Sequence, residues 1–170
     1  MLYKNKIGKK LLINKYAGIF LIFCIPLFAY ISYYVTDAFN ERDLKWMMID
    51  VLLSGRLSLG KEAFETAGIP LWGQFYEMFG SVRDYGAAYN YLDNSYVQLL
   101  VINGLIYTGL LVIAYMYIMK EAYRRRDFLL MYSIFFAGVS GLIAQHFIEM
   151  YMNPFLIALF AKHTRIDGNA

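Results

Sequence analysis

Cysteine is almost missing from this chain. Its 170 residues hold one, Cys24, inside an apolar run, so no intramolecular disulfide can form and the redox compartment is unreadable from it. Proline is scarce, with Pro26, Pro70 and Pro154, and neither internal repeats nor low-complexity tracts occur, which excludes a solenoid or a linker-rich chain. There is no Gly-rich phosphate loop, no Walker-type motif, no Ser-His-Asp order and no Cys-His cluster, so nucleotide-binding and hydrolase readings have no motif to stand on. The net charge of +3 is small and dispersed, which argues against a nucleic-acid partner.

What the chain has in quantity is apolar surface. Hydrophobic residues make up 59% of it and the mean hydropathy is +0.43, against roughly 45–50% apolar in soluble domains. Aromatic residues reach 18%, with 16 Tyr and 13 Phe. Tyr and Trp gather where lipid meets water, because their rings are apolar and their tips are polar. The pattern is that of an all-α, polytopic membrane protein with about four transmembrane helices and one large extracytoplasmic loop containing short interfacial helices.

Residues 1–15 are basic, with Lys4, Lys6, Lys9, Lys10 and Lys15 and no acid. Residues 16–35 carry no charge and are long enough, at roughly 30 Å of helix, to cross a bilayer core. Pro26 is expected to kink this span and not to end it. A cleaved signal peptide fits less well: the run is too long for one, and no small-x-small site follows Val35. Residues 36–94 are polar and form the expected loop. Within it, Trp46–Leu53 is an apolar cluster too short to span and suited to an interfacial helix. Leu57, Phe64 and Ala67 recur at helical spacing, which predicts a helix over Arg56–Glu65 that Gly68 and Pro70 end. Gly80, Gly86 and Asn90 read as irregular loop.

Residues 95–119 are the second expected span, with Gln98, Asn103, Gly104 and Gly109 marking helix contact. A basic loop, 120–127, leads to a third span, 128–145, in which Ala137 and Gly141 make a small-xxx-small pair. Residues 147–163 are a marginal fourth span with Lys162 snorkelling, and a re-entrant segment is the alternative. Of the 16 Lys and Arg, only Arg42, Lys45, Arg56, Lys61 and Arg83 fall in the long 36–94 segment. The rest collect at the short ends and in the 120–127 loop. This positive-inside asymmetry places both termini in the cytoplasm and the 36–94 segment outside.

Several residues outside the spans carry chemistry. Arg56 follows Ser54-Gly55 where loop meets membrane; its planar fork of donors matches phosphate oxygens two at a time, though snorkelling to lipid headgroups is the simpler account of a lone arginine there. Asp93 and Asn94 precede the second span. Asp93 there is either a helix cap or a carboxylate able to accept a proton from a sugar hydroxyl. Arg83-Asp84 is a local ion pair of small worth. Tyr91, Tyr96, Trp72 and Tyr76 can stack on sugar rings, and an aromatic belt accounts for them as well. His146 and Glu149 share a helical face, but no third metal ligand accompanies them.

Taken in order, Leu53-Ser54-Gly55-Arg56, Pro70-Leu71-Trp72-Gly73-Gln74, and Asp93-Asn94-Ser95-Tyr96 leading to Leu99-Leu100 and Gly104 resemble the C-terminal part of the O-antigen and capsular polysaccharide polymerases (Wzy-type). Glu149 and Asn153-Pro154 ahead of the last span also suit that family. The resemblance covers residues 50–161. It implies a membrane glycosyltransferase that moves a growing glycan from a polyprenyl-diphosphate-linked oligosaccharide onto another lipid-linked repeat unit. It implies Arg56 and Asp93 as catalytic residues and Lys61, Trp72, Gln74, Arg83, Tyr91, Asn94, His146 and Glu149 as substrate-binding residues, with no metal and no cofactor. Many polymerases and the related ligases carry His at the position of Asp93, so its part as base departs from their pattern. Members of the family have many more spans, so the resemblance also implies the remaining part of a larger polymerase as partner. A related ligase and a non-enzymatic accessory membrane protein are the alternatives.

Overall fold

The computed structural model describes residues 15–78, 91–144, 147 and 154–159. All regular structure among them is helical. Helix α1 runs Lys15–Ala38 and continues through Pro26. Two short helices follow, α2 over Leu44–Leu52 and α3 over Arg56–Thr66. Next come α4, Ser95–Gln98, a π-turn, Leu99–Asn103, and α5, Gly104–Arg125. Helix α6 spans Phe128–Ser140, and a 3-10 segment covers Pro154–Leu159.

Tyr16–Ala38 and Ser95–Arg125 are each long and apolar enough to cross a membrane. Phe128–Ser140 is apolar but has 13 residues, about 20 Å of helix against a core of about 30 Å. Of the expected fourth span, only Phe147 and Pro154–Leu159 lie within the described residues. The loop readings at Gly80, Gly86 and Asn90 lie outside them.

The core forms where α1, α5 and α6 meet. Leu21, Cys24 and Ile25 face Tyr115, Ile118, Met119 and Ala122, and Met131 and Ile134 close the third side. These spacings of three and four residues put each set on one helical stripe. The opposite faces are apolar too, with Phe20, Phe23, Leu27, Leu110, Ile113 and Phe136 exposed. A helix apolar all round belongs in lipid or inside a larger assembly, not in water. Arg126 at φ 60 ends α5, and the Asp127 carboxylate caps α6 at Leu130 N, so α5 and α6 are antiparallel neighbours.

The expected second span is not one straight helix. In a straight helix Tyr96 and Tyr115 stand ~28 Å apart. The ring of Phe147 lies 5.4 Å from the Tyr96 ring and 4.8 Å from that of Tyr115, and a single side chain cannot bridge the longer distance. The Ser95 N–H also donates to Gly141 O, at 2.9 Å, just past the end of α6. The chain therefore bends sharply, and Gly104 is the hinge, with φ 81 and ψ 173, a conformation reserved for glycine. The bend returns Asp93 and Asn94 toward α1 and α6, where a straight helix would carry them ~16 Å beyond Gly104.

A bend inside a membrane helix strands backbone groups, which must find partners in protein. Residues 70–74 supply them. Leu105 N donates to Pro70 O (2.9 Å) and Ile106 N to Leu71 O (3.1 Å), while Gln74 N donates to Ile102 O (2.8 Å). The fit is tight: a Cβ on Gly104 would sit 2.6 Å from the Trp72 carbonyl.

Candidate functional site

The corner joining α2 to α3 sets the position of Arg56. Ser54 at φ 58 and Gly55 at φ 79 are consecutive left-handed residues. Asp50, in the last turn of α2, locks the corner. Its backbone carbonyl accepts from Gly55 N, and its carboxylate accepts from Leu57 N (2.8 Å) and Ser58 N (3.1 Å). That carboxylate satisfies two of the open donors at the start of α3 and complements the helix dipole. Arg56 is the first residue of α3.

The Arg56 guanidinium donates from Nη1 to Leu53 O at 3.0 Å. Its Nε lies 3.3 Å from Asp93 Oδ2, with the two side chains 25% and 29% exposed. Nε itself is buried and makes no hydrogen bond, so its attraction to Asp93 is one of charge at close range and not of an aligned N–H. The two residues assigned to catalysis on the resemblance are thus neighbours. Their register continues: Gly60 packs on Val97 and Thr36, and Ala67 is tied to Val101 through Gln74. Helix α3 and the α4 segment therefore run in the same direction, side by side.

Asn94, not Asp93, is the cap of α4. Its Oδ1 accepts from Tyr96 N (3.0 Å) and Val97 N (3.2 Å), and its Nδ2 donates to Ser32 Oγ (3.2 Å) and Leu142 O (3.0 Å). One amide joins α1, α4 and the end of α6, with nothing left over for a sugar. Asp93 is released from capping and faces Arg56. Gln74 also serves the backbone: its Nε2 donates to Ala67 O and Val101 O. The Tyr96 ring, a stacking candidate in the sequence, is buried, with its hydroxyl donating to Gly138 O at 2.9 Å.

Lys61 belongs to a different place. Its Nζ donates to Asp37 O at 2.9 Å and lies 3.6 Å from Asp37 Oδ1 and 3.8 Å from Glu65 Oε1. It helps line a polar cavity of about 320 Å³ with Phe39, Asn40, Glu41, Arg42 and Glu62. Trp72 is 71% exposed on the 70–74 strap, and Tyr91 is half-buried just ahead of Asp93. Arg83, His146 and Glu149 lie outside the described residues. Among the described residues, no three His, Cys, Asp or Glu side chains converge as metal ligands would.

Sequence reading missed Asp50 and Gly104. The usable signal for Asp50 is an Asp in the last turn of a helix, four residues ahead of Ser54-Gly55. No family model, curated protein or solved structure matches this chain.

Proposed function

We propose that this chain is part of a membrane polysaccharide polymerase acting on polyprenyl-diphosphate-linked oligosaccharide outside the cytoplasm. The observation that carries the reading is the half-buried Arg56–Asp93 pair beside a helix long enough to cross a membrane. Partly exposed, the pair keeps donors and a carboxylate within reach of a ligand. In the proposed step, the acceptor hydroxyl oxygen attacks the anomeric carbon as the bond to the diphosphate oxygen breaks. Asp93 takes the hydroxyl proton, and the diphosphate leaves with the bonding electrons. Arg56 turns from Asp93 to the departing diphosphate and offsets its growing charge. Tyr91, two residues ahead of Asp93, lines the approach of the sugar, and Trp72, on the strap at Gly104, meets the glycan farther from the bond that breaks. The displacement as written uses no cofactor.

The test is restoration of surface polymer in a polymerase-deleted strain, by this chain alone and together with the remaining part of a larger polymerase. Arg56→Ala and Asp93→Asn are expected to abolish long polymer while membrane levels stay normal. Polymer of normal length from either variant removes that residue from the mechanism. The outward placement is tested separately: Ser81→Cys is expected to react with an impermeant thiol reagent on intact cells or spheroplasts, and protection until lysis overturns it.

A further inference from the structure

Helix α2 has no buried residue. Its large apolar side chains stand outward, with Leu52 at 84%, Val51 at 79%, Leu44 at 75% and Met48 at 73% exposed. What α2 turns inward is little: the Asp50 carboxylate, which grips the start of α3, and Trp46, which meets Phe39 edge-on at 6.3 Å. The usual surface helix of a soluble protein does the reverse, with its apolar stripe inside and its charges out.

Two features on the chain decide what covers this face. Only residues 39–43 separate α2 from the end of α1, one of the two helices able to cross a membrane, so α2 begins within ~17 Å of that crossing. Nine residues make about 13 Å of helix, too short to enter and leave a bilayer. At these exposures the five apolar residues of this face offer roughly 600–700 Å² of accessible surface, short of the roughly 800 Å² per partner of a stable protein pairing. Lipid needs no such minimum, because each apolar side chain gains by leaving water independently.

We infer that the outward face of α2, formed by Leu44, Met47, Met48, Val51 and Leu52, is a lipid-binding surface lying flat at the boundary between headgroups and acyl chains. Arg42 and Lys45, exposed at its start, reach toward anionic headgroups. The inference does not depend on the polymerase reading.

Trp46 is turned inward, so the fluorophore is placed on the face itself: Trp46→Phe and Trp72→Phe remove both native tryptophans, and Met48→Trp supplies the reporter. That protein is reconstituted as the full chain into phosphatidylcholine–phosphatidylglycerol vesicles carrying a nitroxide either near the headgroup or near the acyl-chain end. The shallow nitroxide is expected to quench the Met48→Trp fluorophore at least about twofold more than the deep one. Adding Val51→Asp with Leu52→Asp is expected to lose most of that quenching while α1 keeps the protein in the vesicle. Quenching by aqueous acrylamide with none from either nitroxide overturns the inference, since the face is then in water. Protection from both quenchers overturns it too, since protein then covers the helix. Stronger quenching by the deep nitroxide rules out the flat placement.

Discussion

Two irregular regions of this protein invite comparison: the 53–58 corner that carries Arg56, and the 70–74 strap laid across the bend at Gly104. Both depart from helix through left-handed or glycine-only backbone, and both are held by a few close hydrogen bonds. They differ in how their polar side chains are used. At the strap, Gln74 spends its amide on two carbonyls and the rest of the binding is backbone to backbone. At the corner, the backbone is satisfied by Asp50, which leaves the Arg56–Asp93 pair half-exposed. Irregular backbone in a membrane helix is therefore no sign of chemistry by itself. Charge left over after the backbone has been satisfied is the better sign.

The comparison can be broken most forcefully at Gly104. An added methyl meets the Trp72 carbonyl at 2.6 Å in a backbone conformation closed to other residues. Gly104→Ala should cost about 3 kcal/mol or more, measured by unfolding in mixed micelles, and a near-neutral result would mean the strap does not hold the bend. Next comes Asn94→Ala, which removes a cap and two inter-helix bonds. The expected loss is ~2–4 kcal/mol, and Asn94→Asp should recover the capping part alone. Asp93→Asn sits one residue away and should behave oppositely, costing under ~1 kcal/mol because the pair is partly solvated, while on the proposed function it ends polymer formation. A large stability loss there would recast the pair as a structural one. The smallest effect is expected at Gly109, where a Cβ meets nothing within 4 Å; Gly109→Ala should gain up to about 1 kcal/mol from helix propensity.

Much of the fold was legible because helix periodicity is written in a few residues. Leu57, Phe64 and Ala67 announced α3, and Gly68, at φ 69, ends it as expected. The apolar cluster at Trp46–Leu53 announced α2. The bend at Gly104 was not legible, because glycine in a membrane span ordinarily signals close packing. Only the distant strap shows that here it serves its backbone freedom. The exchange of roles between Asp93 and Asn94 was hidden for a related reason. Both are good caps, and the choice is made by Ser32, Leu142 and Arg56, all far away in sequence. The pairing of Arg56 with Asp93 likewise follows from the parallel course of α3 and α4, which no local pattern encodes.

The hinge at Gly104 also imposes a timetable on biosynthesis. The strap that braces it is translated earlier, whereas Gly141, Leu142 and Phe147, which hold the returning half of the helix, emerge later. A nascent chain halted between the two carries the braced hinge but lacks the bonds from Gly141 and Leu142 that hold Ser95 and Asn94. The Asn94 side-chain bond to the end of α6 therefore forms only after residue 142 has been made, well after the hinge and its strap.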